Sequence, residues 1–231
     1  MGAARAGDRA STGTARCSCQ RAGLALMLAP MSLPPHPRRA TCATCLRPQA
    51  TCICQWIAPL ATTVAVLILQ HPLEVGNAKG SARLLHLALP GSVMLAGEVF
   101  DPATLSALLH AGGRSPLLLY PGNAAHVSPA LPVLPAPSAL RLVVLDGTWR
   151  KSRKMLSLNP LLQGLPRLAL HDMPASHYRI RKAHAPDQLS TLEASAYALM
   201  RLDGEAAPYQ ALLAAFDGFV AQQAGYAPPR G

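Results

Sequence analysis

Apolar residues along the chain fall into short runs broken by turn residues and into longer stretches with helical spacing. TTVAVLIL (62–69) is β-branched at its start and bounded by polar residues, the pattern of a buried strand. SARLLHLAL (81–89) predicts a helix with Ser81 as its N-cap. VMLAGE (93–98) predicts a short strand, ATLSALLHA (103–111) a helix, and PLLLY (116–120) a strand stopped at Pro121-Gly122. Residues 127–139 are proline-rich and read as a loop. RLVVL (141–145) predicts a strand, WRKSRKML (149–156) a helix and RLAL (167–170) one more strand. Ser190-Thr191-Leu192-Glu193 has the capping-box pattern and opens a helix faced by Leu192, Ala196, Leu199 and Met200. Asp203-Gly204 ends it. Pro208 suits the first turn of a last helix, with Leu212, Leu213, Phe216 and Val220 on its apolar face.

Strands alternating with helices imply an α/β domain with a largely parallel sheet. Ligands on such sheets sit at the carboxyl ends of the strands. That places the loops at 70–80, 120–126 and 146–149 on one rim. The chain divides into an Ala/Arg/Gly-rich extension (1–35), a cysteine-rich segment (36–58) and the α/β domain (59–225). The extension is expected to be disordered, or the product of an early start codon with Met27 and Met31 as alternative starts. Residues 22–31 have a faintly signal-like apolar core but no A-x-A cleavage site follows, and no run is long enough to span a membrane. A cytoplasmic protein with no membrane partner is the expectation, and the sequence implies no protein partner.

Charge sharpens this picture. The 231 residues carry a net charge of +10, and residues 141–184 alone hold nine Lys/Arg against two Asp. Net charge by itself fits any soluble surface, but clustering favours a polyanion such as nucleic acid. Four of the six cysteines fall at Cys42-x2-Cys45-x6-Cys52-x-Cys54. Four thiolates at this spacing can surround one tetrahedral zinc with no open position, which makes the metal structural. Reduced thiols, or two disulfides in an exported protein, are the alternatives.

LVVLDGTWRKSRKML carries the most chemistry. A buried strand delivers Asp146 to the rim, Gly147 permits a tight turn, and Thr148 can cap the next helix. Trp149 at the helix start can stack on a base or an adenine. Arg150, Lys151, Arg153 and Lys154 follow, and Arg150, Arg153 and Lys154 share a helix face that suits a phosphate backbone. In isolation these residues equally describe a capped helix, a core Trp and a solvated basic face. Two further polar clusters raise the functional reading. Gln70-His71-Pro72-Leu73-Glu74, with Asn77 and Lys79, follows the first strand, and can hold a polar ligand or bond to loop backbone. Ser176-His177-Tyr178-Arg179-Ile180-Arg181-Lys182 precedes Ser190-Thr191-Leu192-Glu193. There, Arg179 or Arg181 can fork onto a carboxylate and Glu193 can fix an amine, though Ser190 and Glu193 also suffice as a capping box. No P-loop, G-x-G-x-x-G, G-x-S-x-G or H-E-x-x-H occurs.

The CxxC…CxC segment, L-Q-H-P-L-E, L-Y-P-G, L-D-G-T-W and S-T-L-E-A, in this order from about Cys42 to residue 220, resemble the DTW-domain proteins. That family includes tRNA-uridine aminocarboxypropyltransferases. One departure is the loop 75–84, where Val75-Gly76-Asn77-Ala78-Lys79-Gly80-Ser81-Ala82-Arg83-Leu84 replaces an Arg followed by an N-T-G-R-L-like stretch. The resemblance implies transfer of the 3-amino-3-carboxypropyl group of S-adenosylmethionine to N3 of a tRNA uridine. It also implies a SPOUT-like knotted fold. On this reading Asp146, Thr148 and Trp149 are catalytic, with Asp146 the base. Tyr120, Pro121, Gly122, Leu145, Ser176, Tyr178, Arg179, Ser190, Thr191 and Glu193 would bind the donor. His71, Glu74, Lys79, Arg150, Lys151, Arg153, Lys154, Arg181 and Lys182 would meet the tRNA. A non-catalytic zinc-bearing RNA-binding module and an RNA methyltransferase are the rival readings.

Overall fold

Five strands pair side by side, all parallel, in the computed structural model, which describes residues 40–122, 134–178, 180 and 188–226. They are β1 (Ala65–Gln70), β2 (Val93–Ala96), β3 (Ser115–Leu119), β4 (Leu140–Asp146) and β5 (Arg167–Leu168), in the order β2-β1-β4-β3-β5. The helices are α1 (Ala82–Ala88), α2 (Pro102–His110), α3 (Trp149–Leu158), α4 (Pro160–Gln163), α5 (Thr191–Asp203) and α6 (Ala207–Ala224).

Side chains alternate across a strand, so a sheet covered on both faces needs apolar residues at every position. Val66, Ile68, Leu142 and Val144 pack with residues of α1, α5 and α6. Leu67, Leu69, Val143 and Leu145 pack on the other face with Leu105 and Leu109 of α2, Met155 and Leu156 of α3, and Leu162 of α4. The α/β class with a parallel sheet is therefore as the pattern predicts. The large aromatics of the core come from α6, where Tyr209, Phe216 and Phe219 are fully buried.

Several local expectations shift. The first strand starts at Ala65, since Thr62 turns its hydroxyl onto the Val64 carbonyl at 2.8 Å instead of pairing. The strand predicted over 167–170 pairs only through Arg167–Leu168, and the short α4 was hidden in the PLLQ run. Ser81 does not cap α1. Its hydroxyl accepts from the Leu192 backbone N–H at 3.3 Å and ties α1 to α5. The capping box of α5 forms as read, and Gly204, with φ of +76°, ends that helix in the left-handed conformation glycine favours. The predicted extension 1–35 and much of the 127–139 loop lie outside the described residues.

The cysteine segment docks on α6. Trp56 donates its indole N–H to Gln222 and covers Gly218, where an added Cβ would meet Trp56 Cζ3 at 2.1 Å. Gly218→Ala therefore has to push the indole out of its seat. Overpacking of this kind costs about 1–3 kcal/mol, so calorimetry should show a Tm lower by roughly 3–10 °C. An unchanged Tm would mean that the indole contributes nothing to docking.

Candidate active site

The direction of chain travel reverses between β1 and β4. β1 leads through α1 to its outer neighbour β2, whereas β4 leads through α3 and α4 to β5 at the opposite edge. Such a switch point opens a crevice at the carboxyl ends of the strands. Gln70 and Asp146 face each other there as the last registered pair of β1 and β4. Asp146 is 6% exposed. Gln70 donates its Nε2 to Asp146 Oδ2 at 2.8 Å, and Thr191 donates its hydroxyl to Oδ1 at 2.7 Å. One carboxylate thus joins β1, β4 and the first turn of α5, whose N-terminal dipole favours a negative charge.

Two cavities flank this carboxylate, and Gly147 and Thr191 line both. The smaller, about 110 Å³, is bounded by Asp146, Thr148, Glu74, Lys79, Tyr178 and Ser81. The larger, about 500 Å³, lies across the ends of β3, β4 and β5, a volume that suits a small-molecule ligand. Leu119, Val144, Leu145, Leu168 and Leu170 give it an apolar floor, and Tyr120, Pro121 and Trp149 give it a wall. Trp149, 43% exposed, meets Tyr120 edge to face at 5.7 Å between ring centres, and the Arg167 guanidinium lies over the Tyr120 ring. Burial pushes the Tyr120 phenol up, so it stays protonated. Ser152, Ser190, Thr191, Gln188 and Asp172 supply polar groups. Among the described lining residues Asp172 is the one carrying a formal charge.

The remaining expected site residues divide clearly. Thr148 caps α3, accepting from the Lys151 N–H at 3.4 Å, and lines the smaller cavity. Ser190 caps α5 and lines the larger one. Glu193 is spent within the chain. It is 3% exposed, with Oε2 accepting from Ser176 Oγ (2.8 Å) and the Ser190 N–H (2.7 Å), and Oε1 accepting from the His177 N–H (2.8 Å). Ser176 and Glu193 line neither cavity, and neither does Gly122. Tyr178 donates its hydroxyl to the Lys79 carbonyl, and Lys79 gives its ammonium to the Ile180 carbonyl at 3.0 Å. Arg179, Arg181 and Lys182 lie outside the described residues.

The basic helix is partly neutralised from within. Lys151 pairs with Glu74 at 2.8 Å, and Lys154 with Glu98 at 2.9 Å. The other Glu98 oxygen meets His71 Nε2 at 2.9 Å, while His71 Nδ1 accepts from the Leu73 N–H. Lys154 first, then His71, hold the Glu98 carboxyl below its ordinary range. Arg150 and Arg153 remain exposed on α3. Glu98 and Asp172 are the site residues that local sequence reading misses, and Gln70 stands in the polar cluster after the first strand without its bond to Asp146 being legible there. Gln70 and Glu98 act through residues far away in sequence, and only the fold brings those partners together.

Cys42, Cys45, Cys52 and Cys54 converge, their sulfurs all within 4.8 Å of one another and the pairs Cys42–Cys54 and Cys45–Cys52 at 3.5 and 3.7 Å. These separations are far too long for disulfides. They match the edges of a tetrahedron with metal–sulfur arms of about 2.3 Å, roughly 3.8 Å. The N–H groups of Cys45 and Thr44 point at Cys42 and pull its thiol down to about 6, while burial pushes Cys54 up to about 12. Between the cysteine pairs, Arg47 reaches out of the segment. It donates to the carbonyls of Ala78 and Gly80, the latter at 3.0 Å, with its guanidinium over Phe219. No helix among the described residues is long and apolar enough to cross a membrane.

Residues 39–224 match the DTW domain. A protein of Drosophila melanogaster named tRNA-uridine aminocarboxypropyltransferase 2 is 34% identical over 184 residues, covering 77% of this chain and 72% of that protein. One of the same name from Macaca fascicularis is 32% identical over 73% of this chain. The chain spans 58% of that macaque relative's length. Arabidopsis thaliana tRNA-uridine aminocarboxypropyltransferase A is 26% identical over 55% of the chain. No solved structure matches. With a D-G-T-W turn at the rim of its sheet and a match along most of its length, this chain belongs to the DTW-domain family.

Proposed function

We propose that this protein transfers the 3-amino-3-carboxypropyl group of S-adenosylmethionine to N3 of a uridine in tRNA, releasing methylthioadenosine. The observation that carries the reading is the larger cavity. In a chain of net charge +10, its described lining has two aromatic rings and one carboxylate but no Lys or Arg. Such a lining favours a ligand that carries positive charge, and aromatic faces attract cations. The relatives' names supply the reaction class.

S-adenosylmethionine, when bound, supplies an electrophilic methylene on its sulfonium. Trp149 and Tyr120 would wall the cofactor, and Leu145, Pro121 and the apolar floor would exclude water from it. Ser190 and Thr191 would meet its polar groups from the start of α5, with Arg179 a further candidate. Asp146, facing the smaller cavity, would take the N3 proton of the uridine as the nitrogen forms its bond to that methylene and the carbon–sulfur bond breaks. Holding both reactants at the shared wall of two cavities is chiefly a positioning task. Arg150 and Arg153, with Lys154, would meet the phosphate backbone. The cysteine set would hold a structural zinc, and its reduced thiols suit the cytoplasm. A SPOUT-like knotted topology belongs to the same reading.

Incubating the purified protein with S-adenosylmethionine and unmodified tRNA, followed by mass analysis, tests it. Aminocarboxypropyl-uridine with methylthioadenosine is the expected result. Methyluridine with S-adenosylhomocysteine would make the protein a methyltransferase, and bound tRNA without product would leave an RNA-binding module.

A further inference from the structure

We propose that Asp172 binds the ammonium of the donor's amino-acid arm and thereby sets which of its carbons faces the uridine. The inference rests on the function proposed above and deepens it. An amine in a cavity needs an acceptor, and a charged acceptor holds it best. Glu74 and Glu98 are ion-paired with Lys151 and Lys154, and the other acidic residues around the site, Glu193, Asp146 and Asp172, differ in what they have left to offer. Glu193 already accepts from Ser176, His177 and Ser190, and lines neither cavity. Asp146 accepts on both oxygens and faces the smaller cavity. Asp172 lines the larger one, just past the carboxyl end of β5.

Its backbone adds a second observation. Asp172 has φ of +56°, a left-handed conformation that costs a side-chain-bearing residue energy but that Asp and Asn tolerate best. Strain of this kind collects at ligand sites, where surrounding structure holds it in place. The aromatic wall complements this role. A sulfonium makes no hydrogen bonds and would be satisfied by the aromatic wall, where Trp149 is partly exposed and the Tyr120 ring already carries the Arg167 guanidinium, whereas the ammonium must donate. With the sulfonium at the rings and the ammonium at Asp172, the arm between them would be held at both ends, which would fix which of the sulfonium's carbons faces the uridine.

Titration calorimetry on the full chain, with Asp172→Asn and Asp172→Gly, separates the alternatives through three ligands. S-adenosylmethionine has both cations, S-adenosylhomocysteine keeps only the ammonium, and methylthioadenosine has neither. Asparagine preserves the shape and the left-handed backbone, and glycine relieves the strain, so neither variant should unfold. Both are expected to bind the first two ligands about tenfold more weakly and methylthioadenosine unchanged. Equal weakening of all three would assign Asp172 to the ribose and overturn the proposal. Weakening for S-adenosylmethionine alone would assign it to the sulfonium and also overturn it, as would unchanged binding throughout. Wild-type protein that binds none of the three would overturn the proposed function as well. Tight wild-type binding with indifferent variants would overturn only the role of Asp172.

Discussion

Asp146→Asn is expected to lower aminocarboxypropyl transfer by roughly 10²–10⁴-fold, the usual contribution of a positioned general base. Tm and tRNA affinity should stay close to wild type. The geometry makes this substitution clean. An asparagine amide oxygen in the Oδ2 position still accepts from Gln70, and its NH₂ in the Oδ1 position meets the Thr191 hydroxyl, which can turn to accept. The strut between β1, β4 and α5 therefore survives while the proton acceptor is lost. Single-turnover transfer with both substrates saturating is the right readout, because binding then drops out of the rate. Transfer at the wild-type rate would remove Asp146 from the chemistry and leave it as a strut. Loss of transfer together with a large fall in Tm would point the same way.

How much of this was legible before the fold was known depends on how local each rule is. The path from β4 through Asp146, Gly147 and Thr148 to Trp149 obeys neighbour-to-neighbour rules, and strand, turn and cap all fall where the pattern places them. The capping box at Ser190 and Glu193 is equally local, and so is the convergence of the four cysteines. The sequence could not rank competing uses of one side chain. Glu193 suits both an amine and a cap, and it was the segment at Ser176–His177, folded against it, that decided for structure. Ser81 looked like a cap because it precedes a helix, but the neighbouring α5 offered its hydroxyl a different partner. His71 and Lys154 read as a ligand group and a phosphate contact, and both turn out to share Glu98. Gln70 supports Asp146 only because β1 lies beside β4, a fact of strand order that no local spacing encodes.

Removing a metal held by the four cysteines should have the second large effect, and it should reach the active site. The cysteine segment is not an appendage. Cys45 and Ile53 are buried in the same core as α5 and α6, and Arg47 holds the backbone of Ala78 and Gly80. The residues at 74–81 border the smaller cavity, where Lys79 receives the Tyr178 hydroxyl and Glu74 anchors Lys151 of α3. Without a metal, four converging sulfurs within 4.8 Å of one another must either stay protonated or repel, and Arg47 loses the frame that aims it. Structural zinc sites contribute folding free energy outright, so treatment with a strong chelator is expected to lower the Tm by at least about 10 °C. Metal analysis before treatment should find about one zinc per chain. Amide exchange should show protection falling first at 40–56 and next at 74–81, before the strands, since these loops depend on the cysteine frame rather than on the sheet. Arg47→Met keeps the cysteines and removes the clamp. It should bind metal normally yet reproduce the loss of protection at 74–81 alone. A chelated protein with unchanged Tm and unchanged exchange would show that the four thiols need no metal to hold this end of the site.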